Sequence, residues 1–210
     1  MDTATPTAGN VTLCAGAKGG QGTTTVAIAF ASASAAAGHP TMLVDTLGDI
    51  AAALGLRDIE PRNDLAAALA NAVEVTPLLR VAHLPGEQVD PVVINGLAAM
   101  VTAGHRIVID TGTDYETLHR FDSVHPTRLL IMRPCYLAVR RGLAVPFTPD
   151  HVLVVREPNR VLTDDDIARA LALPVTQIAY DPAVARAIDA GLLSSRIPRC
   201  LRQPLDRLIA

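Results

Sequence analysis

Lysine is nearly missing from this 210-residue chain: of eighteen Lys and Arg residues only Lys18 is a lysine, and the rest are arginines. Where the chain elsewhere uses the broad planar guanidinium, here it has a compact ammonium on a flexible stem, suited to a point contact with phosphate. Tryptophan is absent and aromatics make up 3% of the residues, which argues against a stacking platform for single-stranded nucleic acid. Cys14, Cys135 and Cys200 lie far apart with no CxxC pair, so neither a disulfide framework nor a thiolate zinc site is indicated. The six histidines, at 39, 83, 105, 119, 125 and 151, show no HExxH spacing. No Gly-x-Ser-x-Gly elbow points to nucleophilic catalysis. The net charge of -3 supplies no global attraction to nucleic acid.

Hydrophobic residues make up 50% of the chain, but the excess is largely alanine, and no uninterrupted apolar run approaches the roughly 18 residues of a spanning helix. The start, MDTATPTAGN, has an acid and no basic residue, unlike a secretory signal. It reads as a flexible N-terminus over residues 1–10, and a cytoplasmic location is expected. The preference for alanine and arginine points to GC-rich bacterial coding.

What is present is alternation. Seven strand-like runs, VTLCAGA, TMLVD, LLRVAHLP, RIVID, TRLLIMR, HVLVVRE and VTQIAYD, are separated by helical patterns. Helices are expected at Thr24 to Ala37, Asp49 to Leu54, Asp64 to Ala72, Pro91 to Ala103, Tyr136 to Gly142, from Thr163, and from Pro182 to Ala190. Short β-rich runs interleaved with helices predict stacked βαβ units, hence an α/β fold with a mainly parallel sheet of about seven strands flanked by helices. No linker or repeat divides residues 11–210, which read as a single domain.

In such a sheet, ligands bind beyond the carboxyl ends of the strands. Three elements fall there: KGGQGTTT (residues 18–25) after the first strand, Asp45 after the second, and Asp110 after RIVI. Glycines let backbone wrap closely around a phosphate, and the following helix N-terminus directs amides at it. Thr24 then offers a hydroxyl to a magnesium ion, with Asp45 and Asp110 as hard oxygen ligands or holders of its waters. An aspartate ending a strand is by itself commonly a turn former or N-cap; three elements at successive strand ends are more specific.

KGGQG followed by threonines, then LVD, then IVIDTG, resembles the ParA/MinD family of deviant P-loop ATPases over nearly the whole chain, and DPAVARAIDAG is similar to that family's last strand and helix. The resemblance implies a P-loop NTPase fold, binding of ATP with Mg2+, and a homodimer formed around the nucleotide. It assigns nucleotide contact to Lys18, Gly19, Gly20, Gln21, Gly22, Thr23, Thr24 and Thr25, metal binding to Thr24, Asp45 and Asp110, and catalytic roles to Lys18 and Asp45. Lys18 matches the signature lysine that reaches across the dimer. Arg133, Pro134 and Arg156 follow strands where the family brackets the adenine.

Two positions depart from the family pattern. The family reads KGGxGK, and its second lysine, the ordinary P-loop lysine, is Thr23 here. A threonine donates a hydroxyl but neutralises no charge. After Asp45, relatives commonly have Asp-x-Asp, and this chain has Asp45, Thr46, Leu47; the missing acid is the one the family uses to orient the attacking water. Asp49 is close enough to substitute if the loop is shortened, but it is also placed to N-cap the next helix. Hydrolysis is therefore expected to be very slow or absent.

Three readings follow: a ParA/MinD-type dimer switch in positioning or partitioning, a pseudo-ATPase scaffold for a protein partner, and a phosphotransferase or ligase on a related P-loop fold, which the threonine at 23 disfavours. The C-terminal segment mixes Arg196, Arg199, Arg202 and Arg207 with Leu201, Leu205, Leu208 and Ile209. It suits an anionic membrane or DNA phosphates, but a helix packing its leucines on the body is favoured, with Pro204 interrupting any long regular helix.

Overall fold

The strands form because their residues alternate between two apolar faces. In β1 (Val11–Gly16) Val11, Leu13 and Ala15 face one hydrophobic cluster while Cys14 faces the other. The same two-residue alternation splits Ile107 and Ile109 from Val108 in β5 (Arg106–Gly112). It also splits Leu130 and Met132 from Leu129 and Ile131 in β6 (Thr127–Met132). A sheet covered on both faces by helices is the arrangement that near-continuous apolar strands require. The computed structural model describes residues 9–193 and 197–209. The expected flexible N-terminus lies outside these residues except for Gly9 and Asn10, as does Arg196.

With β2 (Thr41–Asp45), β3 (Val73–Thr76), β4 (Leu79–His83), β7 (His151–Val155) and β8 (Val175–Ile178), the sheet has eight strands in the order β3-β4-β2-β5-β1-β6-β7-β8. All neighbours are parallel except β3, which pairs antiparallel with β4. That edge strand was not among the seven runs expected from sequence: VEVT is short and only half buried, so it lacks the apolar signal of the central strands. The helices are α1 (Thr23–Ala36), α2 (Ile50–Ala53), α3 (Leu65–Ala70), α4 (Pro91–Thr102), α5 (Tyr115–Arg120), α6 (Tyr136–Gly142), α7 (Asp164–Leu171), α8 (Pro182–Asp189) and α9 (Arg199–Ile209).

Helix α1 is buried nearly all round, from Val26 through Ala35. It lies on the sheet, and α9 covers it with Leu201, Leu205, Leu208 and Ile209, all in the same cluster. Burying each such side chain contributes about 1.5–3 kcal/mol. The guanidinium of Arg106 donates to the Ile209 carbonyl at 3.0 Å, tying the end of α9 to β5. Contrary to the interruption expected at Pro204, α9 runs through it; the lost amide bond is outweighed by the leucine contacts on either side. At a second close crossing, a β-carbon on Gly191 would come within 2.6 Å of the Gly55 α-carbon, so the loop after α2 meets the end of α8 backbone to backbone. Among the described residues no helix is long and apolar enough to cross a membrane.

Candidate phosphate and metal site

The parallel register gathers the expected elements at one edge of the sheet. Asp45 ends β2 directly opposite Asp110 of β5, and Asp110 is in turn opposite Cys14 of β1. The loop from Ala17 to Gly22 leaves β1 at that edge and enters α1. Gly20 and Gly22 take left-handed backbone angles of φ +74° and +89°, a conformation in which a side chain is strained. A β-carbon on Gly19 or Gly20 would meet nothing within 4 Å, so this part of the loop opens outward. Helix α1 begins at Gly22 with no side-chain cap, leaving its first amides to a ligand or solvent.

Asp110 is fully buried. Its Oδ1 accepts from the Gly112 amide at 3.1 Å, and its Oδ2 has no partner. Burial pushes its carboxyl up to about 6; the Thr24 hydroxyl beside it and the Gly112 amide oppose that rise, and the negative charges of Asp45 and Asp49 add to it. An orphaned buried oxygen next to a hydroxyl fits a hard divalent cation, which takes one or two protein oxygens and completes its shell with phosphate and water. Among the described residues no group of three His, Cys, Asp or Glu is placed to hold a metal ion.

Asp45 behaves differently from Asp110. Its Oδ1 accepts from the amides of Leu47 at 3.0 Å and Gly48 at 2.7 Å, and its Oδ2 accepts from Ile50 at 2.9 Å. The carboxylate thus faces its own loop and caps α2. Asp49, expected as that cap, sits at the N-cap position but makes no capping bond. Its backbone is already helical rather than extended, and Asp45 reaches the amides first. Leu47, where relatives commonly have the second acid, is 44% exposed. A β-carbon on Gly112 would lie 2.3 Å from its Cδ1, so the leucine lies over the end of β5.

The loop's own side chains are held close to it. Thr23 is buried and folds back on the start of the loop: a β-carbon on Gly16 would come 2.5 Å from its Oγ1. Lys18 is half-buried, its ammonium 3.4 Å from the Gly19 carbonyl. Gln21 is buried and accepts from the Arg133 amide at 2.8 Å. On the opposite side, the Tyr115 hydroxyl donates to the Gly16 carbonyl at 2.8 Å, its ring tilted against Phe147 with centroids 5.5 Å apart.

Beyond Gly22 and Thr25 the site continues into a cleft of about 270 Å³, walled by Arg133, Arg156, Tyr180 and Pro182. Arg133 and Arg156 both line this cleft, and N–H groups of both guanidiniums are engaged by neighbours. Arg133 pairs with Glu157 at 2.6 Å, and Arg156 donates to the Leu162 carbonyl at 2.9 Å and to Asp164 at 3.3 Å. Pro134 is buried and does not line the cleft. Burial raises the Glu157 carboxyl, but the hydrogen bond from Arg160 and the charges of Arg133 and Arg160 bring it below its ordinary value. Tyr115, Glu157 and the cross-loop role of Gln21 escaped the sequence reading. Tyr115 and Glu157 match no motif, and the bonds of all three join segments distant in the chain.

Comparison with protein-family models gives no match, and comparison with curated proteins gives none either. Solved structures do match. A ParA family ATPase from Chlorobium tepidum superposes with a TM-score of 0.75 at 17% identity, over 96% of this chain and 97% of that one. The MinC:MinD cell division complex of Aquifex aeolicus gives 0.74 at 17% identity, over 95% and 93%. The septum site-determining protein MinD of Pyrococcus horikoshii, complexed with Mg-ADP, gives 0.69 at 16% identity, over 95% and 94%.

Proposed function

From the fold of the ParA and MinD ATPases, which this chain shares, we propose that it is a nucleotide-dependent homodimer switch in the bacterial cytoplasm. It binds ATP with Mg2+, hydrolyses it slowly or not at all, and acts in positioning or partitioning through a protein partner. The observation that carries this reading is the unpartnered Asp110 Oδ2 beside Thr24 at the mouth of an open glycine loop. A buried carboxylate oxygen without a partner is costly, and a cation held by a phosphate chain in that loop offsets the cost. The Pyrococcus relative holds Mg-ADP, and the Aquifex one is complexed with MinC; both support the nucleotide and partner parts of the reading.

The residues then divide the work. Amides of residues 19–24 and the N-terminus of α1 receive the phosphates, the cleft beyond Thr25 takes the base, and Thr24 and Asp110 hold Mg2+, which when bound neutralises phosphate charge. Lys18, at the outward edge of the loop, offers its ammonium to the nucleotide of a second subunit. Asp45 shapes the loop after β2 rather than ligating. Leu47 over Gly112 presents a hydrocarbon where a water would need a carboxylate, and Thr23 brings no charge. Both features favour slow turnover.

The same two features, with the engagement of Asp45 by its own loop, support a second reading: a pseudo-ATPase scaffold that binds a protein partner without nucleotide. Membrane or DNA contact through α9 is less favoured, since its leucines are spent on α1. Calorimetry with ATP, ADP and Mg2+ on the wild type and on Lys18→Ala, with light scattering on the same samples, separates the two. Binding with dimerisation lost in the variant supports the switch; no binding at millimolar nucleotide leaves the scaffold.

A further inference from the structure

The phosphate loop is gripped at both ends by side chains from outside the ordinary P-loop pattern or turned away from the ligand face. At its entry the Tyr115 hydroxyl, from α5, donates to the Gly16 carbonyl at 2.8 Å. At its exit the Gln21 Oε1 accepts from the Arg133 amide, after β6, at 2.8 Å. Between these points the backbone of Ala17 donates to Ile131 at 3.0 Å, and a β-carbon on either outward glycine, Gly19 or Gly20, would meet nothing within 4 Å. The loop is therefore a span fixed at its ends and open in its middle.

Each side chain's polar atom can be removed while its packing is kept. A phenylalanine at 115 would keep the contact with Phe147, so what the hydroxyl adds is the bond to Gly16. Gln21 is buried with its Nε2 unpartnered. A methionine of similar volume would leave no orphan side-chain donor there, so what the amide adds is the bond to Arg133. Each bond joins the loop to a different ligand-bearing segment. Tyr115 opens α5, which follows the strand carrying Asp110, and Arg133 borders the cleft and holds Glu157.

We propose that Tyr115 and Gln21 are positioning residues that hold the phosphate loop in its receiving shape, aligning it with Asp110 on one side and with the base cleft on the other. This rests on the nucleotide-binding reading for its consequence but not for its structural content. In a loop with threonine at 23, affinity depends on amides that already point the right way, because no lysine side chain pulls the phosphates in. Rigidity set before binding lowers the ordering cost of binding.

The test uses the full chain with Tyr115→Phe, Gln21→Met and the double variant. Hydrogen exchange is followed in residues 17–24 without ligand, and Mg-ADP affinity is measured by calorimetry. Loss of one such bond, at about 1 kcal/mol, is expected to speed exchange of the loop amides about five-fold and to weaken Mg-ADP about five-fold. Exchange in β5 and β6 should be unchanged. The double variant should lose less than the product of the singles, because both bonds constrain one loop. Unchanged exchange at 17–24 in both single variants overturns the proposal, as does acceleration spread evenly over the sheet, which marks a general loss of stability. If the wild type binds no nucleotide, the functional reading fails, and loop exchange alone still decides whether these residues hold the loop.

Discussion

Asp110→Asn should stabilise the ligand-free protein at neutral pH. The carboxyl is fully buried, and its proton affinity is raised from an ordinary value of 3.8 to about 6, chiefly by burial. A native acid that holds its proton more tightly than the unfolded chain makes stability fall as pH rises between those two values. The contribution is fully present below pH 3.8 and lost above about 6. A shift of this size corresponds to about 3 kcal/mol across the window. Asparagine resembles the protonated acid and can still accept from Gly112, so variant and wild type should agree near pH 4. At pH 7.5 the variant should be more stable by about 2–3 kcal/mol, a shift of roughly 1–2 M in the urea midpoint. Urea titrations from pH 4.5 to 7.5, in buffer free of nucleotide and Mg2+, measure this. A variant no more stable than wild type at pH 7.5, or a difference that does not grow with pH, would refute the assignment of Asp110 as a buried carboxylate whose hydrogen bonds do not offset its burial. Because Asp110 is one of the two side chains proposed to hold Mg2+, the same substitution should also weaken the Mg2+ dependence of nucleotide binding.

Other consequences can be checked separately. Thr23→Lys restores a charged donor to the loop and should tighten ATP about 10- to 100-fold, the effect of a hydrogen bond worth about 1.5–3 kcal/mol; unchanged calorimetric affinity would show that the loop does not receive phosphates. Adding Leu47→Asp to that variant should raise phosphate release about ten-fold or more by supplying a group to orient water in place of hydrocarbon, and a flat release rate would place the defect elsewhere. Gly191→Ala meets the Gly55 backbone at 2.6 Å and requires φ +64°, so it should cost about 2–4 kcal/mol in chemical denaturation; a neutral effect would mean that this crossing yields easily.

The loop and strand ends were legible because they rest on local chemistry. Glycines at 19, 20 and 22 mark a loop that needs free backbone, and apolar runs ending in Asp45 and Asp110 mark parallel strands. β3 escaped notice since an edge strand needs only one partner and one apolar face. The division between Asp45 and Asp110 could not be read from sequence either. Both end apolar strands, yet one is surrounded by three amides of its own loop and the other keeps a bare oxygen. The path of the backbone after each strand makes that difference, and residue type does not record it.

By itself, then, the sequence determined the class of fold, the order along the chain of seven of the eight strands, the glycine loop before α1 and the two departures at Thr23 and Leu47, since each is a matter of residue type and spacing. The tertiary structure decided what crosses between distant segments. It set α9 over α1 as a cover, laid Leu47 across Gly112, brought Arg133 and Glu157 together at the cleft, and anchored the loop through Tyr115 and Gln21. Periodicity reports which face a side chain turns to, but the partner it meets depends on the register and order of strands far apart in sequence.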